Sequence, residues 1–305
     1  MNIPKRIEVE NLDHLGIIAG IIDELRIPEI VSERLGIEAQ EKINSGQIVK
    51  AIILNGLGFV SKPLYLFPQF FRNKAVEKLL GEGIKVEHIN DDKIGRVMDK
   101  LFCHGLSEIF VEIVLNTIKK YQISTKQAHL DASSMCLSGQ YQNQSGRLEI
   151  NQELEPSPQP IQIVKGYSRD HRPDLKQFVI LAKYKEQQCT ERGFRFLKDP
   201  LFFADSVFLK SPERIETMAM LMGLCLLVYN LGQLELRAVL KQCNTGIKNQ
   251  LGKLTNTPTL RWIFQCFQGI HYVKLNGEEE VVNLTDDRWW ILSFFPDACQ
   301  SYYLL

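Results

Sequence analysis

A 30-residue segment, SPERIETMAMLMGLCLLVYNLGQLELRAVL at 211–240, constrains the fold more than any other part of the chain. Ser211 is a good N-cap, Pro212 suits the first helical position, and Glu213 places an acidic group in the first turn. These signals predict a long helix. Its most apolar stretch, 218–229, has 12 residues, whereas a membrane span requires about 20. The pattern therefore predicts a helix that is buried in a protein core.

The first 125 residues show the spacing of several amphipathic helices, and we predict an all-helical N-terminal domain over 1–125. One helix is expected to follow Asn90, a good N-cap, and to end before Gly105. Short helices with tight turns are compatible with a helix-turn-helix, although bundles that bind nothing show the same pattern. Similar helical spacing occurs in DHLGIIAGIIDEL (13–25), SGQIVKAIILNGLGF (45–59) and SEIFVEIVLNTIKKY (107–121).

After residue 125 the hydrophobic pattern changes from helical to strand-like spacing. From about Ala182 the helical period returns and continues to the long helix. Residues 246–305 combine mixed signals with an aromatic-rich end, and we assign them to a C-terminal extension of unclear role. This succession of helical, strand-like and again helical segments predicts an α+β protein. In it, an all-α N-terminal domain precedes an α/β core at 126–245 with long C-terminal helices. Strands are predicted in AHLDASSMCL (128–137), IQIVKGY (161–167) and LKQFVILA (175–182).

The cysteines and the N-terminal residues bear on the compartment. The chain has seven scattered cysteines, an odd number, and none of them are in CxxC spacing. This argues against a disulfide scaffold and a zinc site, and favours a reducing compartment. The start of the chain, MNIPKRIEVE, has no apolar signal core. We therefore expect a cytoplasmic protein that has no membrane partner.

Charge is balanced over the whole chain but not along it. Lys and Arg total 36, as do Asp and Glu, so the net charge names no partner. Residues 161–198, however, contain nine basic and four acidic groups, whereas residues 1–120 contain 16 and 17. A concentrated positive field is expected where a polyanion such as DNA binds. A solvated basic surface would have the same composition, so both interpretations stay open.

Within that segment, a stripe of polar groups follows helical spacing. Tyr184, Glu191 and Lys198 are seven residues apart, with Gln187 one turn before Glu191 and Arg195 one turn after it. A buried helix face would not carry these groups, because unpaired buried charge is costly. Glu191 could be a simple salt-bridge partner of the neighbouring cations. Alternatively, it is a Mg²⁺ ligand beside cations that hold nucleic-acid phosphates, since Mg²⁺ binds one or two carboxylates plus substrate phosphate.

A metal site would need a further carboxylate, and Asp131 is the best candidate. In HLDASSM, His129, Asp131 and Ser133 share one face of the predicted strand. An acidic residue between apolar strand neighbours suggests a ligand, although an aspartate at the end of a strand is also common.

The polar stripe is also similar to a known family signature. Tyr184-(2)-Gln187-(3)-Glu191-(6)-Lys198 resembles the Y-(2)-R-(3)-E-(6)-K signature of DDE transposases in the insertion-sequence-four superfamily. The N-terminal runs at 10–25 and 43–71 resemble an all-helical domain of unknown function that precedes the catalytic domain in one branch. HLDASSM together with GYSRDHRPDLKQF (166–178) resembles the first-aspartate region of that branch, and 191–229 resembles its glutamate helix and the segment after that helix. The resemblance covers about residues 8–240.

The resemblance implies a ribonuclease H-like core in which three carboxylates hold two Mg²⁺ ions. Water would cut the transposon end, and the freed 3′-hydroxyl would attack target DNA. Asp131 would be the first catalytic metal ligand and Glu191 the last. The implied partners are the terminal inverted repeats of its element, a second copy of the chain, or an intact transposase in a mixed assembly. The helical domain at 1–125 is expected to bind the DNA ends. The residues expected to contact DNA are Tyr184, Gln187, Arg195, Lys198, Lys165, Arg169 and Arg172.

One departure from the family pattern concerns DNA binding, and a second concerns catalysis. Gln187 replaces the signature arginine and removes a bidentate phosphate donor. No second catalytic aspartate is found between Asp131 and Glu191, which only 59 residues separate. The aspartates in this interval are Asp170 and Asp174, and both lie in GYSRDHRPD, before the predicted third strand.

The position of the third strand explains the missing aspartate. LKQFVILA runs directly into the glutamate helix, whereas a parallel crossover takes about a dozen residues. Asp205 comes after the glutamate helix and is in the wrong order. We infer an internal deletion near 180–182, which leaves the ribonuclease H-like core incomplete and catalysis impaired. The alternatives are a non-catalytic DNA-binding remnant that binds element ends or inhibits intact transposase, and an unselected product that folds poorly.

Overall fold

The computed structural model describes residues 7–59, 66–123 and 211–304, together with the backbone of two short strands at 133–136 and 178–181. The fold is mixed α+β: a helical N-terminal region is followed by small antiparallel sheets and further helices. This confirms the α+β class predicted from the sequence. Most of the predicted ribonuclease H-like core at 126–245 lies outside the described residues.

The described elements form an N-terminal and a C-terminal region. The N-terminal region consists of β1 (Ile7–Asn11), α1 (Leu15–Glu24), α2 (Ile27–Leu35), α3 (Ser45–Leu57), α4 (Phe67–Phe71), α5 (Val76–Leu80), a 3-10 turn (Val86–His88), α6 (Asp91–Cys103) and α7 (Leu106–Tyr121). Two isolated strands come next, β2 (Ser133–Cys136) and β3 (Phe178–Leu181). The C-terminal region consists of α8 (Pro212–Gln242), β4 (Ile247–Lys248), β5 (Leu254–Thr255), α9 (Leu260–Cys266), β6 (His271–Leu275), β7 (Glu278–Val282), α10 (Asp286–Leu292) and α11 (Asp297–Gln300).

Side-chain caps mark the starts of the major helices, and those at Asn90 and Ser211 were predicted from the sequence. Asn90 Oδ1 accepts a hydrogen bond from Lys93 N at 2.9 Å, and Ser211 Oγ accepts one from Arg214 N at 3.3 Å. Asn44 and Gln47 form a capping box at the start of α3. The helices predicted from spacing are confirmed within a few residues, because periodicity and caps are both local signals.

One prediction for the N-terminal region is wrong, since residues 7–11 form a strand rather than a helix. β1 pairs antiparallel with β6, with Ile7 opposite Leu275 and Asn11 opposite His271. β6 in turn pairs with β7, giving the sheet order β1-β6-β7. The alternation in IEVE fits the two-residue period of a strand, but the partner strand that satisfies its backbone lies at the other end of the chain.

The described N-terminal and C-terminal regions share one hydrophobic core. Helix α1 packs against α11 so closely that a Cβ on Gly20 would lie 2.4 Å from Cys299 Cα. Helix α8 packs against α1, α3, α6, α7 and α9. No sequence pattern indicated that 246–305 completes the core of the N-terminal helices, and the boundaries at 125 and 245 remain predictions.

Helix α8 is buried, as its apolar sequence predicts. By length and composition alone it could cross a membrane, and α6 with α7 passes the same test only as a pair bent by 87°. In the fold, however, 61% of the most apolar window of α8 is buried inside the protein. Packing on neighbouring helices therefore accounts for its apolar surface, as in the core helix of a soluble protein. A cytoplasmic location remains a prediction.

Strands β2 and β3 belong to the region of the predicted catalytic core. They pair antiparallel, with Ser133 opposite Leu181 and Cys136 opposite Phe178. Both lie within strands predicted from the sequence, at 128–137 and 175–182. The predicted strand between them lies outside the described residues.

Candidate functional site

The predicted catalytic and metal-binding residues, Asp131 and Glu191, lie outside the described residues. Their proposed roles therefore stay predictions. In the part of the chain that the structure describes, no group of three or more His, Cys, Asp or Glu side chains is placed to hold a metal ion. The predicted DNA-binding residues also lie outside the described ranges: Tyr184, Gln187, Arg195, Lys198, Lys165, Arg169 and Arg172.

The described residues contain a buried charged network at the start of α1, centred on Asp13. Asp13 Oδ2 accepts a hydrogen bond from Lys74 Nζ at 2.9 Å, and Oδ1 accepts one from Gly269 N at 2.8 Å. The Tyr303 hydroxyl donates to the Asp13 carbonyl oxygen at 2.7 Å. The network connects Asp13 to three distant parts of the chain and uses both of its carboxylate oxygens, which indicates a structural role.

His14 beside it is fully engaged in the core. Nε2 donates to Leu57 O at 3.0 Å, and Nδ1 accepts from Gln268 Nε2 at 2.7 Å. The ring lies 4.7 Å from that of Phe59 and 4.5 Å from that of Phe264. Burial lowers the pKa of His14 to about 4, so the imidazole is neutral near pH 7. With both nitrogens occupied, His14 is not available as a general base.

A second buried network contains Lys50 on α3. Its Nζ donates to Asp23 Oδ1 at 2.5 Å and to the Tyr302 hydroxyl at 2.6 Å, and that hydroxyl donates to Asp23 Oδ2 at 2.5 Å. Burial lowers the pKa of Lys50, while the neighbouring Asp23 carboxylate opposes the change. These mutual bonds connect α1, α3 and the C-terminal residues.

A cleft with several cations lies between the loop after α2 and helix α6. Its volume is about 340 Å³. Lys93 Nζ donates to Glu41 Oε1 at 2.6 Å, and Lys100 pairs with Glu38, which holds the pKa of Glu38 below its ordinary value. Two of the four Lys and Arg side chains of the cleft, Lys93 and Lys100, are therefore neutralised by neighbouring carboxylates. The charged and polar residues that line the cleft are Glu38, Glu41, Lys42, Glu87, His88, Asn90, Lys93, Arg96 and Lys100.

Lys42 and Arg96 are the cleft cations best placed to contact an anion. Both are exposed, and neither forms an ion pair with another described residue. The three carboxylates in the cleft limit its positive potential, so its contribution to phosphate binding is modest. Sequence analysis assigned DNA-end binding to 1–125 without naming these two residues, because one precedes α3 and the other lies on α6.

A titratable group lies where α8 meets the end of α7. Burial raises the pKa of Glu235 to about 7, and the nearby Glu24 carboxylate adds to the effect. Glu235 interacts with Tyr121, but the contact lacks hydrogen-bond geometry, and Glu235 Oε2 and the Tyr121 hydroxyl are buried without a bonding partner. Lys120 pairs with Glu24 rather than with Glu235. The junction therefore buries a carboxyl group and a phenol without hydrogen-bond partners, and the described residues around them form no assembled active site.

Comparison with known proteins gives one match. A family model described as "Domain of unknown function (DUF4277)" matches residues 7–115, which run from β1 through most of α7. No curated protein and no solved structure matches the chain. The matched region overlaps the N-terminal runs that resemble a domain of unknown function, and the match itself names no transposase family.

Proposed function

We propose that the chain is a transposase-like DNA-binding protein that recognises the terminal inverted repeats of an insertion sequence. The observation that carries this proposal is the order of two features. A domain-of-unknown-function match at 7–115 precedes the signature residues Tyr184, Glu191 and Lys198. The resemblance implies the same order, with a helical domain before the catalytic glutamate helix.

Elements around the signature support the proposal. The backbone of β2 overlaps the end of the first-aspartate segment HLDASSM, beside its antiparallel neighbour β3. The long helix α8 comes after the glutamate segment and has its predicted Ser211 cap. Lys42 and Arg96 supply cations for phosphate contact in the matched N-terminal region.

Catalysis by this chain is impaired in our proposal. In the family, two Mg²⁺ ions held by three carboxylates activate the attacking oxygen and stabilise the leaving oxygen. Asp131 and Glu191 supply two of the three carboxylates. Because a two-ion clamp depends on bridging geometry, the loss of one carboxylate removes efficient strand cleavage.

A non-catalytic role as a DNA-binding remnant or an inhibitor of intact transposase is the second candidate, and one observation favours it. Strand β3 ends at Leu181, and the signature begins at Tyr184. A parallel crossover that leads to a second catalytic strand takes about a dozen residues. The interval between Leu181 and Tyr184 is too short to contain such a crossover.

DNA recognition can be tested by gel shift with the full chain. The probes are duplexes from the ends of its element and shuffled duplexes of equal length and composition. We expect tighter binding to the ends, and weaker binding by the variant Lys42→Ala/Arg96→Ala. The matched control is Arg26→Ala/Arg34→Ala, which removes two exposed arginines that already pair with Glu33 and Glu112. Negligible binding to both probes at low salt would reject the proposed function.

Impaired catalysis needs a separate assay. Purified protein is incubated with element-end DNA and Mg²⁺ or Mn²⁺, with Asp131→Ala as the control. We expect no strand cleavage by either protein. Cleavage that disappears in Asp131→Ala would contradict the inferred deletion, and would make Asp170 and Asp174 the next residues to replace.

A further inference from the structure

A second segment rich in basic residues lies at 237–274. It has no Asp or Glu, whereas the basic segment at 161–198 contains four. Folding neutralises part of this charge, since Lys274 Nζ donates to Glu77 Oε2 at 2.9 Å. Any of the other cations that lack a carboxylate partner would remain available to bind an anion. The six cations of the segment are Arg237, Lys241, Lys248, Lys253, Arg261 and Lys274.

Part of this segment forms a small projecting hairpin, β4–β5. Ile247 pairs with Thr255, and Lys248 pairs with Leu254. Ile247 is buried at 1% exposure. Because side chains alternate along a strand, Lys248 and Leu254 face the opposite way, into solvent. Leu251 in the connecting turn is 80% exposed and Leu254 is 69% exposed.

The hairpin turn has a defined conformation. Asn249 N donates a hydrogen bond to Lys253 O at 2.8 Å, and Asn249 Oδ1 accepts one from Leu251 N at 2.9 Å. Gly252 adopts φ +74°, a left-handed conformation that glycine takes at little cost. The turn therefore presents Leu251 and Lys253 in a fixed arrangement.

The base of the hairpin is attached to two helices. Trp262 Nε1 on α9 donates to Lys248 O at 2.8 Å. Arg237 Nε on α8 donates to Pro258 O at 2.9 Å, just after the hairpin. Gly246 allows the strands to close, since a Cβ there would lie 2.9 Å from the Thr255 backbone. These contacts attach the hairpin to α9 at the end of β4 and to α8 just after β5.

The hairpin and the adjacent end of α8 carry cations that folding leaves unpaired. Lys241, Lys248 and Lys253 are exposed, and none forms an ion pair with a described residue. This differs from the cleft at α6, where carboxylates neutralise two of the four Lys and Arg side chains. Unpaired lysines beside two exposed leucines are not explained by the stability of the fold, because the leucines are mostly exposed and the lysines have no carboxylate partner among the described residues.

We infer that the β4–β5 hairpin is a contact site for duplex DNA. Lys241, Lys248 and Lys253 bind backbone phosphates, and Leu251 and Leu254 pack against the sugar and base edges of the minor groove. Apolar side chains flanked by cations are used in this way by minor-groove binders. The inference rests on the proposed function and adds a contact outside both the N-terminal helices and the 161–198 segment.

The surroundings of the hairpin favour DNA over an anionic membrane surface. A membrane-binding element presents a broad apolar or aromatic face, whereas only two leucines are exposed at this tip. The neighbouring amides and hydroxyls can bond to phosphate oxygens and base edges. These exposed polar residues are Gln242, Asn244, Gln250, Asn256, Thr257 and Thr259.

The test measures DNA affinity of the full chain by fluorescence anisotropy at constant salt. We expect Lys248→Ala/Lys253→Ala to bind about tenfold more weakly, since two phosphate contacts are lost. Leu251→Ala/Leu254→Ala should also bind more weakly, by about threefold, through loss of apolar contact. Arg26→Ala/Arg34→Ala removes the same charge as the lysine variant and should bind like the unmodified chain. Urea unfolding verifies that all three variants fold.

Two outcomes would overturn the inference: the first leaves the proposed function standing, and the second rejects it as well. If the unmodified chain binds DNA and both hairpin variants bind equally well, DNA binding stands and the hairpin contact is wrong. If the chain binds phosphatidylserine vesicles rather than DNA, and the hairpin variants lose that binding, the site is a membrane contact. Absence of DNA binding by the unmodified chain would reject the proposed function itself.

Discussion

Positive charges are buried and paired with carboxylates in the interior of the helical region, whereas they are exposed at the β4–β5 hairpin. Inside, Lys50 and Lys74 are largely buried, and each contacts an aspartate. At the hairpin, Lys248 and Lys253 are exposed and have no carboxylate partner among the described residues. A buried charge must be paired because its desolvation costs several kcal/mol. Folding therefore explains the interior cations but not those of the hairpin, which are available for a partner.

The largest expected effect on stability comes from breaking the interior network. Asp13→Ala leaves Lys74 without its carboxylate and Gly269 N without its acceptor. We expect the free energy of unfolding to fall by about 3–5 kcal/mol, as for other buried pairs that lose one partner. The matched control is Glu33→Ala, which breaks an exposed pair with Arg26 and should cost about 0–1 kcal/mol. Equal, small losses in urea denaturation would show that the interior pairing is not structural.

A second effect should appear as pH dependence from His14. Burial lowers its pKa from 6.5 to about 4, so between these values the unfolded chain binds the proton and the folded chain does not. Stability should consequently fall as pH decreases from 6.5, by a total of about 3 kcal/mol at pH 4. The measurement compares urea unfolding of the unmodified chain and His14→Gln across this window. A pH slope that is unchanged in the variant would contradict the assignment.

A smaller effect of opposite sign is expected from Glu235. Because its pKa is raised from 4.5 to about 7, the folded chain retains a proton that the unfolded chain has lost, and stability falls as pH rises through this window. Glu235→Gln removes this penalty. We expect the variant to be about 1 kcal/mol more stable at pH 8, a value reduced for partial exposure, and the difference to vanish near pH 4.5. Greater stability of the unmodified chain at pH 8 would show that the carboxylate is favourably paired.

Local elements of the fold could be predicted from the sequence, because their signals lie within a few residues. The caps at Asn90 and Ser211 and the apolar spacing after them identified α6 and α8. Pairing between distant segments could not be predicted in the same way. The partner of Ile7 in β1 is Leu275 in β6, and no local pattern specifies a contact over that distance.

The candidate functional sites also divide into those that a sequence signal identified and those that only the fold reveals. Asp131 and Glu191 were identified through a family signature, and their positions lie outside the described residues. The hairpin was missed because each of its strands has only two residues, too few for periodicity to be detected. One sequence signal could have identified it: the absence of acidic residues from 237 to 274. Whether such cations are paired, however, depends on tertiary neighbours and is visible only in the fold.

The salt dependence of DNA binding tests whether the cations left unpaired by folding bind phosphates. Each phosphate contact releases counterions and contributes about 0.9 to the slope of log affinity against log salt concentration. Replacing Lys241, Lys248 and Lys253 by alanine should lower the magnitude of the slope by about 2.7, while Arg26→Ala/Arg34→Ala leaves it unchanged. Equal slopes for the unmodified chain and the triple variant would contradict a role for these lysines in DNA binding.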